Sequence, residues 1–442
     1  MNTGRKHTPA DGTLPSAPEL PANGWSPAET LERLEALRRD DVRWKDGRVF
    51  SLAYYASPEA HELATEAYRR FSGENALNVD AFPSLRVMQA DVLAIVSRWL
   101  GAPSSARGFF SSGGTESILM AVKAARDQFR HDKIRPNVVL PTSAHAAFEK
   151  AGAYFGVEMR RVPVCSESWL ADARAMNAAA DDQTIMLVAS APQYPQGVVD
   201  PVADIAALAL ERGVNCHVDA CMGGVTLPYL ARLGVAVPPW NFAVDGVTSI
   251  SVDLHKFGYT AKGASVIMYR TGELRSHQAF VTDKWLGGLY GSSGMLGTKS
   301  GGPIAAAWAV LHHLGDDGYL RVTRAARETA LAIAQHVRNH QQLMLRAEPD
   351  TTLVCIGAKN GTGSAAAQGG VAGTVDIFAV ADALAARGWY VDRQQPPPSI
   401  HLTVNAVHAS TYREFLRDLD AAVAEVVSRS ATGRAGAYGT VD

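Results

Sequence analysis

Residues 246–269 read GVTSISVDLHKFGYTAKGASVIMY, with two short apolar runs on either side of a polar, glycine-containing connection that carries two lysines. GVTSIS (246–251) and ASVIMY (264–269) have the length and near-continuous apolar character of strands buried on both faces. Lys256 lies a few residues after the first run and stands between His255 and Phe257. A lysine partly withdrawn from water there is neutral enough to attack an aldehyde. A solvated charge between two strands is the plainer reading. Lys262, six residues on, is either a second cation facing the same cavity, suited to a phosphate, or an ordinary surface lysine.

Working outward, further short apolar runs lie at ARGFFSS (106–112), NVVL (137–140), TIMLVAS (184–190) and VNCHVDA (214–220). Helical spacing fills the intervals at 85–101, 115–130, 143–156, 201–213 and, more weakly, 171–180. Strands alternating with helices predict an α/β chain with a mostly parallel sheet covered on both faces. The pattern changes after Pro303. Two helices (303–315 and 318–339), a strand at TTLVCIGA (351–358), and a strand then a helix in VDIFAVADALAARGW (375–389) are expected. A strand at SIHLTVNAV (399–407) and a last helix at 412–427 complete a smaller α+β domain. The segment 360–373 is low in complexity and is expected to be a loop. Near the start, Ser26-Pro27-Ala28-Glu29 reads as a capped helix start, and a second helix is expected over 58–71. The expected organisation is a flexible tail over 1–24, a helical arm over 25–83, a large domain over 84–315, a small domain over 316–430 and a flexible end over 431–442.

The 442 residues are 47% hydrophobic, with 39 Gly and 22 Pro, as in a well-packed enzyme of more than one domain. Lys and Arg total 42 against 44 Asp and Glu, a formal charge of -2 with no basic concentration, which argues against a nucleic-acid partner. Four cysteines without a CxxC pair fit free thiols in a reducing compartment. No secretory signal and no span of about 18 or more apolar residues is evident, so a soluble, cytoplasmic protein without a transmembrane segment is expected.

Two more segments carry chemistry. Ser111-Ser112-Gly113-Gly114-Thr115-Glu116-Ser117 lies where a strand gives way to a helix. Glycines allow close backbone approach there, and the first helical N–H groups suit an anion. By itself the segment is equally a plain turn. In His217-Val218-Asp219-Ala220, alternation puts His217 and Asp219 on one side of a strand, with Asp219 near its carboxyl end. An aspartate in so apolar a run needs a partner; a protonated pyridine nitrogen is one, a cap or salt bridge another. Zinc held by His217, Asp219 and Cys221 lacks a further ligand motif, so no metal is expected. Together, an anion-binding turn, an aspartate and a later lysine suit a cofactor anchored by phosphate, ring nitrogen and aldehyde.

These residues resemble those of fold-type I pyridoxal-phosphate enzymes, the aspartate aminotransferase-like group, and within it the sphingosine-1-phosphate lyase family. The matching strings are NALNVDAFPSLRVMQADV, SSGGTESILMAVKAARD, PTSAHAAFEKAGAYFG, HVDACMGG, VTSISVDLHKFGYTAKGASVIMYR and PPPSIHLTV, in family order over roughly residues 45–425. HVDA with a later HK is shared with the wider group II decarboxylases, whereas the strings around Lys256 and His145 are more particular to the lyases. The resemblance implies pyridoxal 5'-phosphate as cofactor. Its phosphate would lie on Gly113, Gly114 and Thr115, with His145 stacked over the ring and Asp219 paired with its nitrogen. Lys256 would bond to its aldehyde carbon, with His255, His217 and Ser251 also at the cofactor. Lys256, His255, Asp219 and His145 are the implied catalytic set. Tyr54, Asn78, Lys262 and Lys299 are the implied substrate contacts.

The implied reaction is C2–C3 cleavage of a phosphorylated long-chain amino alcohol to a fatty aldehyde and phosphoethanolamine. A homodimer with shared active sites is also implied, the loop 291–300 reaching the partner's site. Residues 285–290 have the composition to line an apolar mouth. Two positions depart from the family pattern. In Asn75-Ala76-Leu77-Asn78-Val79-Asp80, Asn78 stands where the family has histidine, and in Gly297-Thr298-Lys299-Ser300-Gly301-Gly302, Lys299 stands where it has arginine. Lys299 keeps the charge but loses the guanidinium fork. The alternatives are an amino-acid decarboxylase, which uses the same electron sink, and a non-catalytic scaffold or effector on the same fold.

Overall fold

The structure, a computed structural model, describes residues 20–359 and 375–436. The tail expected over 1–24 lies outside the described residues up to residue 19, as do the loop expected over 360–373 and the end of the chain from 437.

Seven strands form the main sheet: β1 (Arg107–Ser111), β2 (Asn137–Pro141), β3 (Glu158–Val162), β4 (Thr184–Ser190), β5 (Asn215–Asp219), β6 (Ser249–Val252) and β7 (Ser265–Tyr269). Their order is β1-β7-β6-β5-β4-β2-β3. The pairs from β6 through β3 are parallel, and β7 runs antiparallel to both of its neighbours. Every residue of β2, β4, β5, β6 and β7 is buried, because helices cover both faces. Alternate side chains divide between two cores. Val138, Leu140, Met186 and Val188 pack with Ile118, Leu119 and Val122 of the helix Gly114–Gln128. Val139, Leu187, Val218 and Ile250 face Leu85, Val92 and Ile205 on the other side.

A hairpin of β8 (Phe280–Thr282) and β9 (Tyr290–Ser292) follows, and then the helical stretch Gly302–Asn339. Gly315 interrupts that stretch with φ 54 and ψ -171, which separates the two helices expected from the sequence. The second sheet is antiparallel, in the order β10-β11-β13-β12, with β10 (Leu343–Leu345), β11 (Leu353–Ala358), β12 (Asp392–Gln394) and β13 (Ser399–Thr403). It packs on the helices Ile377–Ala386 and Tyr412–Arg429 around a core of its own.

One expectation is corrected. VDIFAV is not a strand but the start of the helix Ile377–Ala386. Asp376 caps it by accepting from the N–H groups of Phe378 and Ala379, and all of 377–381 is buried, so no polar face interrupts the run.

Candidate active site

The carboxyl ends of β1, β2, β4, β5 and β6 converge on one cavity of 380 Å³. It is lined by Ser112, Gly113, Gly114, Thr115, Glu116, Ile118, His145, Ser190, Pro192, Tyr194, Asp219, Cys221, Met222, Asp253, His255 and Lys256. Gly113, Gly114, Thr115, His145, Asp219, His255 and Lys256, separated by up to some 140 positions in sequence, thus share one wall-to-wall space.

The 113–115 turn opens the 15-residue helix Gly114–Gln128, whose first N–H groups point out of its end. A Cβ at Gly114 would lie 2.7 Å from Asp253 Oδ2 and 2.7 Å from Cys221 Sγ, so only glycine fits. Glu116, buried in the first turn, accepts from the N–H of Ser112 at 2.6 Å and from that of Met295 at 2.7 Å. It joins the turn to the loop 293–300.

Lys256 and Asp253 form an ion pair, Nζ to Oδ2 at 3.0 Å. Asp253 is 2% exposed and also accepts from Ser265 Oγ at 2.6 Å. Burial works to raise its pKa, but the charges of Lys256 and His255 and the Ser265 bond outweigh it, and the carboxyl is held below its ordinary value. His255 lies 3.8 Å from the same carboxylate, and burial brings its pKa down to about 4. Its Nδ1 is buried and has no partner among the described residues, a costly state for a polar atom. His145 Nδ1 accepts from the N–H of Ala147 at 3.0 Å, which places the proton of the neutral ring on Nε2. Burial lowers its pKa despite the nearby Asp219.

Asp219 lines the cavity, whereas His217 and Ser251 do not. They stand behind it in the sheet: Ser251 Oγ donates to Asp219 Oδ1 at 3.2 Å and lies 3.3 Å from His217 Nε2. The four substrate candidates also lie off the cavity wall. Lys262 is an exposed residue whose ammonium donates to the Leu52 carbonyl at 2.7 Å and sits 5.1 Å from the centre of the Tyr54 ring. Burial there, aided by Lys256, lowers its pKa to about 8. Tyr54 reaches the wall indirectly, its hydroxyl 3.8 Å from Met222 Sδ. Asn78 Oδ1 is occupied by the N–H of Asp80 at 3.0 Å and of Ala81 at 3.4 Å. Lys299 Nζ lies 4.5 Å from the centre of the Phe109 ring, and burial lowers its pKa against the pull of Glu116. Ala76 N–H donates to the Lys299 carbonyl at 2.8 Å, so the two departing segments are neighbours. Residues 285–290 form the exposed tip of the β8–β9 hairpin rather than a cavity wall.

Asp253, Glu116 and Tyr194 were not singled out in the sequence. An aspartate three residues before a lysine, at the end of an apolar run, was the available signal for Asp253. Tyr194 meets Asp392 of β12, which also accepts from Ser51 Oγ at 2.6 Å.

A pyridoxal phosphate fits this donor set. The glycine cradle at Gly114, the His255 imidazole with its unsatisfied Nδ1, the Asp219 carboxylate and the Lys256 amine all border the same cavity.

The pyridoxal-dependent decarboxylase conserved domain matches residues 36–359. Sphingosine-1-phosphate lyase 1 of Rattus norvegicus is 38% identical over 428 residues, covering 95% of this chain and 72% of that protein. Sphingosine-1-phosphate lyase of Arabidopsis thaliana is 38% identical over 417 residues, covering 92% and 74%. The structure of sphingosine-1-phosphate lyase from Burkholderia pseudomallei superposes with a TM-score of 0.86 at 36% identity, covering 94% of both chains.

Proposed function

Starting from the fact that the chain belongs to the pyridoxal-dependent decarboxylase family and, within it, to the sphingosine-1-phosphate lyases, we propose that it cleaves the C2–C3 bond of a phosphorylated long-chain amino alcohol, giving a fatty aldehyde and phosphoethanolamine. The observation that carries this reading is the meeting of the 113–115 turn, Asp219 and the Lys256–Asp253 pair in one 380 Å³ cavity.

Pyridoxal phosphate, when bound, supplies a carbonyl that captures an amine and a conjugated ring that accepts an electron pair. The residues of the chain do the rest. Gly113, Gly114 and Thr115 would hold the phosphate on the helix N–H groups, and His255 Nδ1 would be available to it. Asp219 would pair with the ring nitrogen and keep it protonated, and His145, neutral and with its proton on Nε2, would stack on the ring. Asp253 holds the Lys256 ammonium at the cavity wall, fixing where the amine stands. Lys262 and Tyr54 form a cationic and aromatic rim that suits the substrate phosphate, with Lys299 and Asn78 on adjoining segments.

A homodimer is part of this reading. Phe280, Val281, Trp285, Leu286 and Leu289 are exposed together on the β8–β9 hairpin, with Leu286 wholly so at 107%, more apolar surface than a monomer leaves open by chance. Covering that hairpin with a second copy buries it and brings the loop 291–300 to the shared boundary. Among the described residues no helix is long and apolar enough to cross a membrane. A cytoplasmic setting suits the four free cysteines.

The deciding assay incubates the protein and pyridoxal phosphate with phosphorylated long-chain bases and, separately, with amino acids. Fatty aldehyde and phosphoethanolamine in equal amounts support the lyase. Carbon dioxide from an amino acid without aldehyde makes it a decarboxylase, and neither product makes it a scaffold.

A further inference from the structure

β5 and β6 are parallel neighbours in a register that sets His217 beside Ser249 and Asp219 beside Ser251. Because the side-chain period of a strand is two, all four project to one face. His217 and Ser251 are 0% exposed and Ser249 is 3% exposed, while Asp219 alone reaches the cavity.

Their hydrogen bonds can be assigned atom by atom. A hydroxyl offers one hydrogen and two lone pairs. Ser251 Oγ has three partners: Asp219 Oδ1 at 3.2 Å, His217 Nε2 at 3.3 Å and Cys221 Sγ at 3.4 Å. An ionised carboxylate only accepts, so the Ser251 hydrogen goes to Asp219. The other two partners must then donate, His217 through Nε2–H and Cys221 through S–H. Burial keeps both in the required form, bringing His217 down to about 4 and pushing the Cys221 thiol far up. A neutral imidazole has a single N–H, so His217 Nδ1 accepts, and Ser249 Oγ, 2.8 Å away, donates to it. The N–H of Cys221 adds a second bond to the same Asp219 Oδ1 at 3.1 Å. Every hydrogen in the chain then points toward Asp219.

We propose that Ser249, His217 and Ser251 are positioning residues that hold Asp219 ionised and fixed by one oxygen, leaving Oδ2 to the ring nitrogen of the cofactor. A proton on Asp219 Oδ1 would oppose this direction, since Ser251 would have to turn its hydrogen away; the two bonds to Oδ1 therefore leave Oδ2 as the oxygen that faces the cavity. The device acts through Asp219 and touches neither cofactor nor substrate. It rests on the reading that the cavity binds pyridoxal phosphate.

The test uses holoenzyme rebuilt with pyridoxal phosphate carrying ¹⁵N in the ring. The nitrogen chemical shift reports its protonation, and equilibrium dialysis gives the cofactor Kd. Ser251→Ala is expected to move the resonance toward the unprotonated position and to weaken Kd about tenfold, the scale of one hydrogen bond to a charged group. His217→Leu should do the same in smaller measure. His217→Gln, which donates and accepts at similar places, should restore both readings. An unmoved resonance and Kd in Ser251→Ala overturn the proposal, as does a drop in melting temperature alone. Should His217→Leu not fold, Ser251→Ala and His217→Gln still decide the matter. If the unaltered protein takes up no pyridoxal phosphate, the functional reading falls as well; if it does and Ser251→Ala is silent, only this inference falls.

Discussion

Two adjacent glycines in the 113–115 turn make opposite predictions. In Gly114→Ala the new Cβ meets Asp253 Oδ2 and Cys221 Sγ, each at 2.7 Å. Ordinary contact begins at 3.4 Å, so about 0.7 Å must be found on both sides in a close-packed setting. Neither neighbour has room to give. Asp253 is tied to Ser265 at 2.6 Å and to Lys256 at 3.0 Å, and Cys221 is tied to Asp219 through its N–H at 3.1 Å. Overpacking of this kind costs ~1–3 kcal/mol, which weakens cofactor binding roughly 5- to 150-fold if it falls on the bound state. In Gly113→Ala the nearest atom is His255 Cε1 at 3.4 Å, and φ 167 is extended backbone open to any residue. Its apo-protein stability should change by less than about 0.5 kcal/mol. Dialysis against pyridoxal phosphate gives Kd, and thermal unfolding of the apo-protein gives the stability difference. The reasoning is refuted by a Gly114→Ala protein that binds within about twofold of the original, or by equal loss of apo stability in both variants.

Other perturbations test the same site. Borohydride treatment in the presence of pyridoxal phosphate should label the peptide containing Lys256, and Lys256→Ala should abolish the label; a label of equal yield in the variant would remove Lys256 from its role. Burial lowers Lys262 from 10.5 to about 8, so its cationic form prevails below that pH and is lost above it. The kcat/KM for a phosphorylated substrate should therefore fall as pH rises past about 8, and Lys262→Gln should flatten that limb; an identical profile in the variant contradicts the assignment. Leu286→Glu combined with Leu289→Glu should convert a sedimenting dimer to monomer. A monomeric unaltered protein would refute the dimer.

The parallel sheet was legible because buried strands in an α/β layer read as unbroken apolar runs, and the site was legible where those runs end in Ser112, Asp219 and His255. β3 was not, since its Glu158-Met159-Arg160-Arg161-Val162 lies at the sheet edge with only Val162 buried. The helix at 377–386 reads as a strand at its start because its first five residues are all buried, which hides the 3.6-residue period there. Alternation correctly put His217 and Asp219 on one side, but periodicity carries no depth. Two residues back along a strand is about 6–7 Å deeper, enough to move His217 from the cavity to the support beneath it. The partnerships of Asp253 with Lys256 and Ser265, and of Glu116 with Met295, depend on how strands and loops meet, which no single segment records.

Ser51, Tyr194 and Asp392 join three stretches of chain at one carboxylate, with Ser51 and Asp392 separated by 341 positions and Tyr194 forming part of the cavity wall. Truncation past Ser51 would leave the Asp392 carboxylate to Tyr194 alone, and truncation past Asp392 would leave Ser51 and Tyr194 without their acceptor. Splitting the polypeptide into separately produced halves should yield a cofactor pocket only when both halves are present together, which makes this contact a natural seam for a complementation assay.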